Sequence, residues 1–156
     1  MNDYFKQGPD TTKVVAYLNA ENAYADAWFA PHAPLIDQIF HEIKSRIVED
    51  DTSAPMQHGP WWYLRQTLAG SGYSIHLRGA TRETAGSTVI LDENIEAKPY
   101  EFFGLGAFEL SHDHNLLAWS HETDGSERFT IRVRDLRTNT DLADTLVDTS
   151  NANLAW

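Results

Sequence analysis

Three histidines lie in a short polar stretch in the second half of the chain, SHDHNLLAWSHETDG at residues 111–125. His112 and His114 flank Asp113, and His121 follows after an apolar run. Imidazole nitrogens bind zinc and related metals, so one hypothesis is a small metal-binding protein that uses these three histidines. The other interpretation is a turn between two strands, in which Asp113 bonds neighbouring backbone amides. His121 stands at the far end of the following strand, so the turn is favoured and no metal site is predicted.

A nucleophilic serine is the second chemistry to consider. In α/β-hydrolases this serine stands in a G-x-S-x-G pattern, on a sharp turn from a strand to a helix. No serine of the chain has that pattern, and Ser71, in the run Gly70-Ser71-Gly72, comes nearest. Apolar strand-like runs flank Ser71, so its glycine-rich link fits a hairpin turn. The sequence therefore predicts no catalytic residue, and it leaves the substrate-binding residues unknown.

Three further groups carry reactive or ligand-binding side chains. They are the acidic run at 49–51, the aromatic run at 61–63 and His41. Acidic runs after a helix are usually solvated. Adjacent aromatic residues on a strand point to opposite faces, so we expect at least one of the three to pack in the interior. His41 lies beside an apolar helical stripe and is interpreted as a packed or capping imidazole.

Composition limits the class of protein. The chain has 156 residues, of which 42% are hydrophobic, and no cysteine, so a single folded domain without disulfides or thiolate metal sites is expected. Its 23 acidic and 12 basic residues give a net charge of −11, which would repel nucleic acid. No signal-like or membrane-spanning segment is apparent, so the prediction is a cytoplasmic protein with no cofactor, nucleic-acid partner or membrane contact.

The first third of the sequence has helical periodicity. Apolar residues recur at spacings of three and four in two runs, the second of which is Leu35, Ile36, Ile39, Phe40, Ile43 and Ile47. Pro31 and Pro34 separate the runs, and the second proline suits an early helical position. Two helices are therefore predicted before Pro55.

After Pro55 the apolar period changes to two. Tyr73, Ile75 and Leu77 alternate with polar residues, a pattern typical of strands with one buried face. Two successive units then have four strands each. The first reads 54–57, WWYLRQT, YSIHLR and TVILD, and the second reads GAFELS, LLAWSHE, RFTIRVRDL and DTLVD. NANLAW at 151–156 resembles the opening strand of a third unit.

Four antiparallel strands in a unit of this length are typical of a β-propeller blade, and a ring needs about four to eight blades to close. The predicted fold is therefore mainly β with N-terminal helices. It comprises a helical arm at 1–52 and an incomplete propeller at 53–156, with two blades and the first strand of a third. Unpaired blade edges predict a fragment that forms oligomers or dissolves poorly.

Most of the chain resembles the prolyl oligopeptidase family, and within it the oligopeptidase B (protease II) branch. The resemblance is carried in order by AYLNAENAYADAW (16–28), PLIDQIFHEIKSRIVEDDTSAP (34–55), GPWWYLRQT (59–67), LGAFELSHDHNLLAWSHETDG (105–125) and FTIRVRDLRTNTDL (129–142). In the family the turn after the first strand of a blade reads S-P-D-G. His112 stands here where proline is usual, and His114 where glycine is usual.

The resemblance implies an N-terminal, non-catalytic segment of a serine oligopeptidase. In the family a seven-bladed propeller gates access to a C-terminal α/β-hydrolase domain, which carries the triad, and oligopeptidase B cleaves short peptides after Lys or Arg. This chain is then expected to be inactive alone, with the hydrolase domain and basic peptides as partners of the complete enzyme. The alternative function is a stand-alone propeller-type binding or scaffold module without hydrolase activity.

Overall fold

The computed structural model describes residues 11–150 and 154–156, which fall into two compact units. The first unit ends at Val48 and the second begins at Glu49. The two long helices lie in the first unit, and the strands of the described residues all lie in the second. The predicted division into an arm at 1–52 and a propeller at 53–156 stays a prediction about domains.

The first unit contains helix α1 (Thr11–Phe29), a single 3-10 turn (Ala30–His32) and helix α2 (Ala33–Lys44). Prolines occur early in the 3-10 turn and in α2. Proline is tolerated there because the N–H of an early helical residue makes no hydrogen bond within the helix. The prediction of two helices divided near the prolines is confirmed. No residue of α1 or α2 is buried, and neither helix, nor any other in the described part of the chain, is long and apolar enough to cross a membrane.

The first sheet is antiparallel and lies in the second unit. Its strands are β1 (Asp51–Thr52), β2 (Met56–His58), β3 (Trp61–Thr67), β4 (Ile75–Gly79) and β5 (Thr88–Asp92). Both β1 and β2 pair with β3, at opposite ends, so together they form one interrupted edge strand. The sheet continues from β3 through β4 to β5.

A short helix separates the two sheets. Helix α3 (Glu93–Ala97), which was not predicted, begins directly after β5, and the side chain of Asp92 caps it by accepting a bond from the Asn94 amide. The second sheet follows, again antiparallel, in the sequential order β6 (Gly104–Leu110), β7 (Leu116–Glu122), β8 (Arg128–Asp135) and β9 (Thr140–Ser150).

One hydrophobic core joins the two sheets. Its buried members are Ile90, Leu91, Ala97, Phe103, Leu117, Trp119 and Leu136. They come from β5, α3, β7 and the connecting segments, so neither sheet has a separate core of this kind. Trp119 is 1% exposed and Leu117 is fully buried, and burial of such large apolar side chains is the main force that holds the sheets together.

The two successive antiparallel sheets are each four strands wide and do not close a ring. They confirm the predicted class, an incomplete propeller preceded by helices. One part of the strand prediction was wrong. Alternation in β4 indicated one polar, solvent-facing side, whereas Arg78 is buried and His76 is largely covered. β4 is an internal strand with neighbours on both faces, so its polar side chains are enclosed. The predicted strand at 151–156 lies partly outside the described residues, and residues 154–156 form no strand.

Candidate functional site

The histidine-rich stretch forms the turn between β6 and β7. The Asp113 carboxylate accepts bonds from the Ser111 hydroxyl at 2.7 Å, the Asn115 amide at 3.1 Å and the Asn115 side chain at 2.8 Å. These bonds to Ser111 and Asn115 lower the pKa of Asp113 to about 2. The predicted role of Asp113 in holding the turn is confirmed.

His114 is the residue of this turn that faces inward. Its backbone is left-handed, with φ of 58°, which explains why glycine is the residue expected there. The residue is only 5% exposed. Nδ1 of His114 lies 2.8 Å from the Tyr63 hydroxyl of β3, and the two rings stack. The turn of the second sheet is thereby bonded to the first sheet.

Gly59, between β2 and β3, lies against the other ring nitrogen of His114. A Cβ built on Gly59 would overlap Nε2 of His114, so glycine is required for the two segments to approach this closely. Gly59 also has a left-handed φ of 57°. His58 adds an edge-to-face contact, with 4.7 Å between its ring centroid and that of His114.

Arg78 of β4 also connects the two sheets. Its Nη1 donates to the carbonyl of His114 at 2.6 Å and its Nη2 to the carbonyl of Leu136 at 3.4 Å. The guanidinium also stacks over Trp61, 4.2 Å from the ring centroid. A buried arginine is costly unless it is hydrogen-bonded, so these carbonyls and the aromatic face compensate its charge. We name His58, Gly59, Tyr63, Arg78 and His114 together the inter-sheet cluster.

A cavity of about 390 Å³ borders this cluster. It is lined by His58, Glu109, Leu110, Ser111, His112, His114 and residues 154–156. Trp156 donates from its indole N–H to the carbonyl of Glu109 at 3.2 Å, which brings the end of the chain against β6. The cavity therefore combines imidazole and carboxylate groups with apolar walls.

The metal hypothesis required His112, His114 and His121 to converge. His121 instead lies on β7, stacked between Phe103 and Trp119 and only 5% exposed, and its burial lowers its pKa. Nδ1 of His114 is bonded to the Tyr63 hydroxyl, and its Nε2 lies against Gly59. Within residues 11–150 and 154–156, no three His, Asp or Glu side chains come together as a metal site would require. The three histidines therefore do not form a shared site.

The remaining candidate residues have structural surroundings. Ser71 lies in the loop between β3 and β4, where its amide donates to the Leu68 carbonyl at 3.0 Å. His41 is exposed and its Nδ1 donates to the carbonyl of Asp37, one helical turn earlier. A packed or capping imidazole was expected, and in the structure the ring is exposed and bonds a carbonyl of its own helix.

The acidic run after the helices makes specific contacts at the start of the first sheet. Asp50 accepts a bond from the Ala69 amide at 2.6 Å, and the carbonyl of Glu49 accepts one from the Thr67 hydroxyl at 3.0 Å. Asp51 lies in β1, opposite Thr67. Asp50 and Asp51 are exposed, as expected of a solvated run, and the run also fastens the interrupted edge strand to the end of β3.

The aromatic run on β3 is half-buried, and at least one member packs between the blades, as predicted. Tyr63 reaches the second sheet through His114, and Trp61 covers Arg78. Burial raises the pKa of Tyr63, and the nearby Arg78 opposes part of that change, so the hydroxyl stays protonated at neutral pH.

Sequence reasoning missed a second buried polar pair. Nε2 of His76 lies 2.7 Å from the Glu93 carboxylate, with the two side chains 15% and 11% exposed. The His76 ring also stacks on Phe108 of β6, with 4.5 Å between centroids. This pair was missed because alternation placed His76 on a solvent face, and nothing in the local sequence marks Glu93 as its partner.

The comparisons with known proteins agree with this architecture. Residues 6–156 match the family model described as "Prolyl oligopeptidase, N-terminal beta-propeller domain". The chain belongs to the prolyl oligopeptidase family. The family assignment covers both the helices and the two sheets, as the resemblance in the sequence predicted.

Among curated members of the family, dipeptidyl aminopeptidase BI of Pseudoxanthomonas mexicana is 36% identical over 94% of this chain and 22% of its own length. Protease 2 of Moraxella lacunata is 30% identical over 90% of this chain and 21% of its own length. The oligopeptidase B structure from Leishmania major matches with a TM-score of 0.80 and 29% identity, over 97% of this chain and 21% of that one. The chain thus spans about a fifth of the length of these relatives.

Proposed function

We propose that this chain supplies the N-terminal, non-catalytic part of a serine oligopeptidase. In this proposal a C-terminal α/β-hydrolase domain performs the hydrolysis, and the propeller limits access to short peptides. Two findings together carry the proposal. The chain matches the family model over residues 6–156, and it covers only 22% and 21% of the two curated relatives. The two unclosed sheets are consistent with such a part.

The lack of a nucleophile elbow supports the non-catalytic role. No serine in the 156 residues stands in G-x-S-x-G. Ser71, the nearest, is held in a loop between two strands and is not followed by a helix. The base that would activate a serine must lie within hydrogen-bond reach, whereas the bond described for Ser71 runs from its amide to the Leu68 carbonyl.

For the complete enzyme, we propose cleavage after Lys or Arg. Similarity to Protease 2 and to oligopeptidase B supports this choice, and the net charge of −11 is compatible with basic substrates. The name of the dipeptidyl aminopeptidase relative suggests a competing preference, removal of dipeptides from a free N-terminus. Two substrates with the same reporter distinguish these preferences: an N-blocked arginyl amide and an unblocked dipeptidyl amide.

The test begins with the gene sequence downstream of Trp156, which we expect to encode further blades and a G-x-S-x-G. The purified 156-residue chain should not hydrolyse either substrate, whereas the longer product should cleave the blocked arginyl amide and react with a fluorophosphonate probe. A serine-to-alanine variant at the downstream elbow is the matched control and should do neither. A reading frame that closes its ring without an elbow would instead support the scaffold module, and turnover by the short chain would contradict the proposal.

A further inference from the structure

We propose that His114 is a pH-sensitive latch between the two sheets: its neutral imidazole holds the β6–β7 turn against β2 and β3, and protonation in the mildly acidic range weakens that contact. The proposal rests on the geometry of the inter-sheet cluster. It does not depend on the proposed peptidase function, and it would hold equally for a scaffold module.

His114 is packed against β3 and Gly59, with little exposure to the water that a charged imidazole requires. The residue is 5% exposed, its Nδ1 is bonded to the Tyr63 hydroxyl at 2.8 Å, and its Nε2 faces the Cα of Gly59. A neutral imidazole needs only one acceptor for its single N–H, whereas the protonated ring carries two N–H groups. Protonation therefore adds a charged N–H to a residue that is only 5% exposed and that lies beside the Arg78 guanidinium, which weakens the contact.

The charges around the ring also oppose protonation. Arg78 of β4 is bonded to the carbonyl of His114, and His58 of β2 lies against its ring. Burial lowers the pKa of His114 most, followed by His58 and Arg78. Asp113 raises the same pKa by a smaller amount. The Asp113 carboxylate accepts bonds from Ser111 and Asn115 within the turn, and its charge offsets only part of the effect of burial, His58 and Arg78. Two further titratable groups, Glu109 and His112, line the adjoining cavity.

The direction of the pH effect follows from this lowered pKa. The unfolded chain binds a proton at His114 near pH 6.5, whereas the folded chain resists it until a lower pH. The stabilising contact is therefore fully present above about pH 6.5 and is lost as the pH falls toward the folded-state pKa. His121 is also buried with a lowered pKa, so it adds to the same trend and must be separated by comparing variants.

The first experiment measures the titration of each histidine ring by NMR in the 156-residue chain. Signals are assigned with the single variants His114→Asn and His112→Asn, because asparagine tolerates a left-handed backbone and does not titrate in this range. We expect the His114 midpoint to lie below the ordinary histidine value of about 6.5. A midpoint at or above that value would overturn the proposal.

The second experiment measures release of the latch. Between pH 7.5 and pH 5.5, amide hydrogen exchange in residues 56–63 and 111–117, corrected for its intrinsic pH dependence, should accelerate in the wild type and in His112→Asn. It should not accelerate in His114→Asn. Equal acceleration in all three proteins would contradict the latch.

If His114→Asn does not fold, Tyr63→Phe provides the second variant. It removes the hydroxyl bonded to Nδ1 of His114, so amide exchange at pH 7.5 should already be faster than in the wild type. An unchanged exchange rate would count against the proposal.

Discussion

The Tyr63 hydroxyl and Nδ1 of His114 lie 2.8 Å apart although 51 positions separate the two residues along the chain. This bond joins the first sheet to the β6–β7 turn of the second sheet. Arg78 adds a second link by donating to the His114 carbonyl, which is 36 positions away. The turn position at which the resemblance predicts glycine thus forms a contact between the two sheets.

The close approach of Gly59 to His114 predicts that Gly59→Ala destabilises the second unit. The change introduces a left-handed alanine, which costs about 1–2 kcal/mol, and an overlap with Nε2 of His114. Gly70→Ala is the matched control, because Gly70 has a left-handed φ of 76° but open space around its Cα. Urea unfolding should show a larger decrease in the free energy of unfolding for Gly59→Ala than for Gly70→Ala. In the background His114→Gly the difference should shrink, and an unchanged difference would show that the overlap is not its cause.

The bonds made by Asp113 predict a pH-dependent contribution to stability. Its pKa is about 2 in the folded chain, below the ordinary value of 3.8, so the contribution is present above about pH 4 and is lost as the pH falls toward 2. Asp113→Ala should therefore unfold at a lower urea concentration than the wild type at pH 6. The gap between the two urea midpoints should narrow below about pH 4. Asp144→Ala, which removes an exposed carboxylate of β9, is the matched control. A gap that stays constant down to pH 2.5 would mean that the carboxylate charge does not stabilise the turn.

The shared core predicts that the two sheets unfold together. Leu117 is fully buried in β7, and its replacement by alanine should lower the free energy of unfolding by about 2–5 kcal/mol. Leu146→Ala removes the same atoms from a β9 side chain that is 62% exposed. It should change the free energy of unfolding of this chain by less than about 0.5 kcal/mol. Fluorescence and hydrogen exchange in β3 and β8 should report one transition. Loss of β8 protection in Leu117→Ala while β3 stays protected would contradict a shared core.

The strand and helix assignments followed from local pattern because periodicity is set by which face an element buries. The runs WWYLRQT, TVILD and LLAWSHE became β3, β5 and β7 with the predicted bounds. Helix α3 was missed because five residues are too few to give a periodic signal, and its start depends on the cap made by Asp92. The role of Asp113 was also accessible from sequence, since an Asx turn uses residues only two positions away.

By itself, the sequence determined the family, the two helices, the two four-stranded blades and the absence of a nucleophile elbow, because each depends on residue order within a short segment. Only the tertiary structure decided that His114 and His121 lie in separate buried environments and that His76 pairs with Glu93. It also placed Arg78 against the turn of the next blade. Alternation along a strand distinguishes two faces, but what covers each face is set by segments far away in the chain.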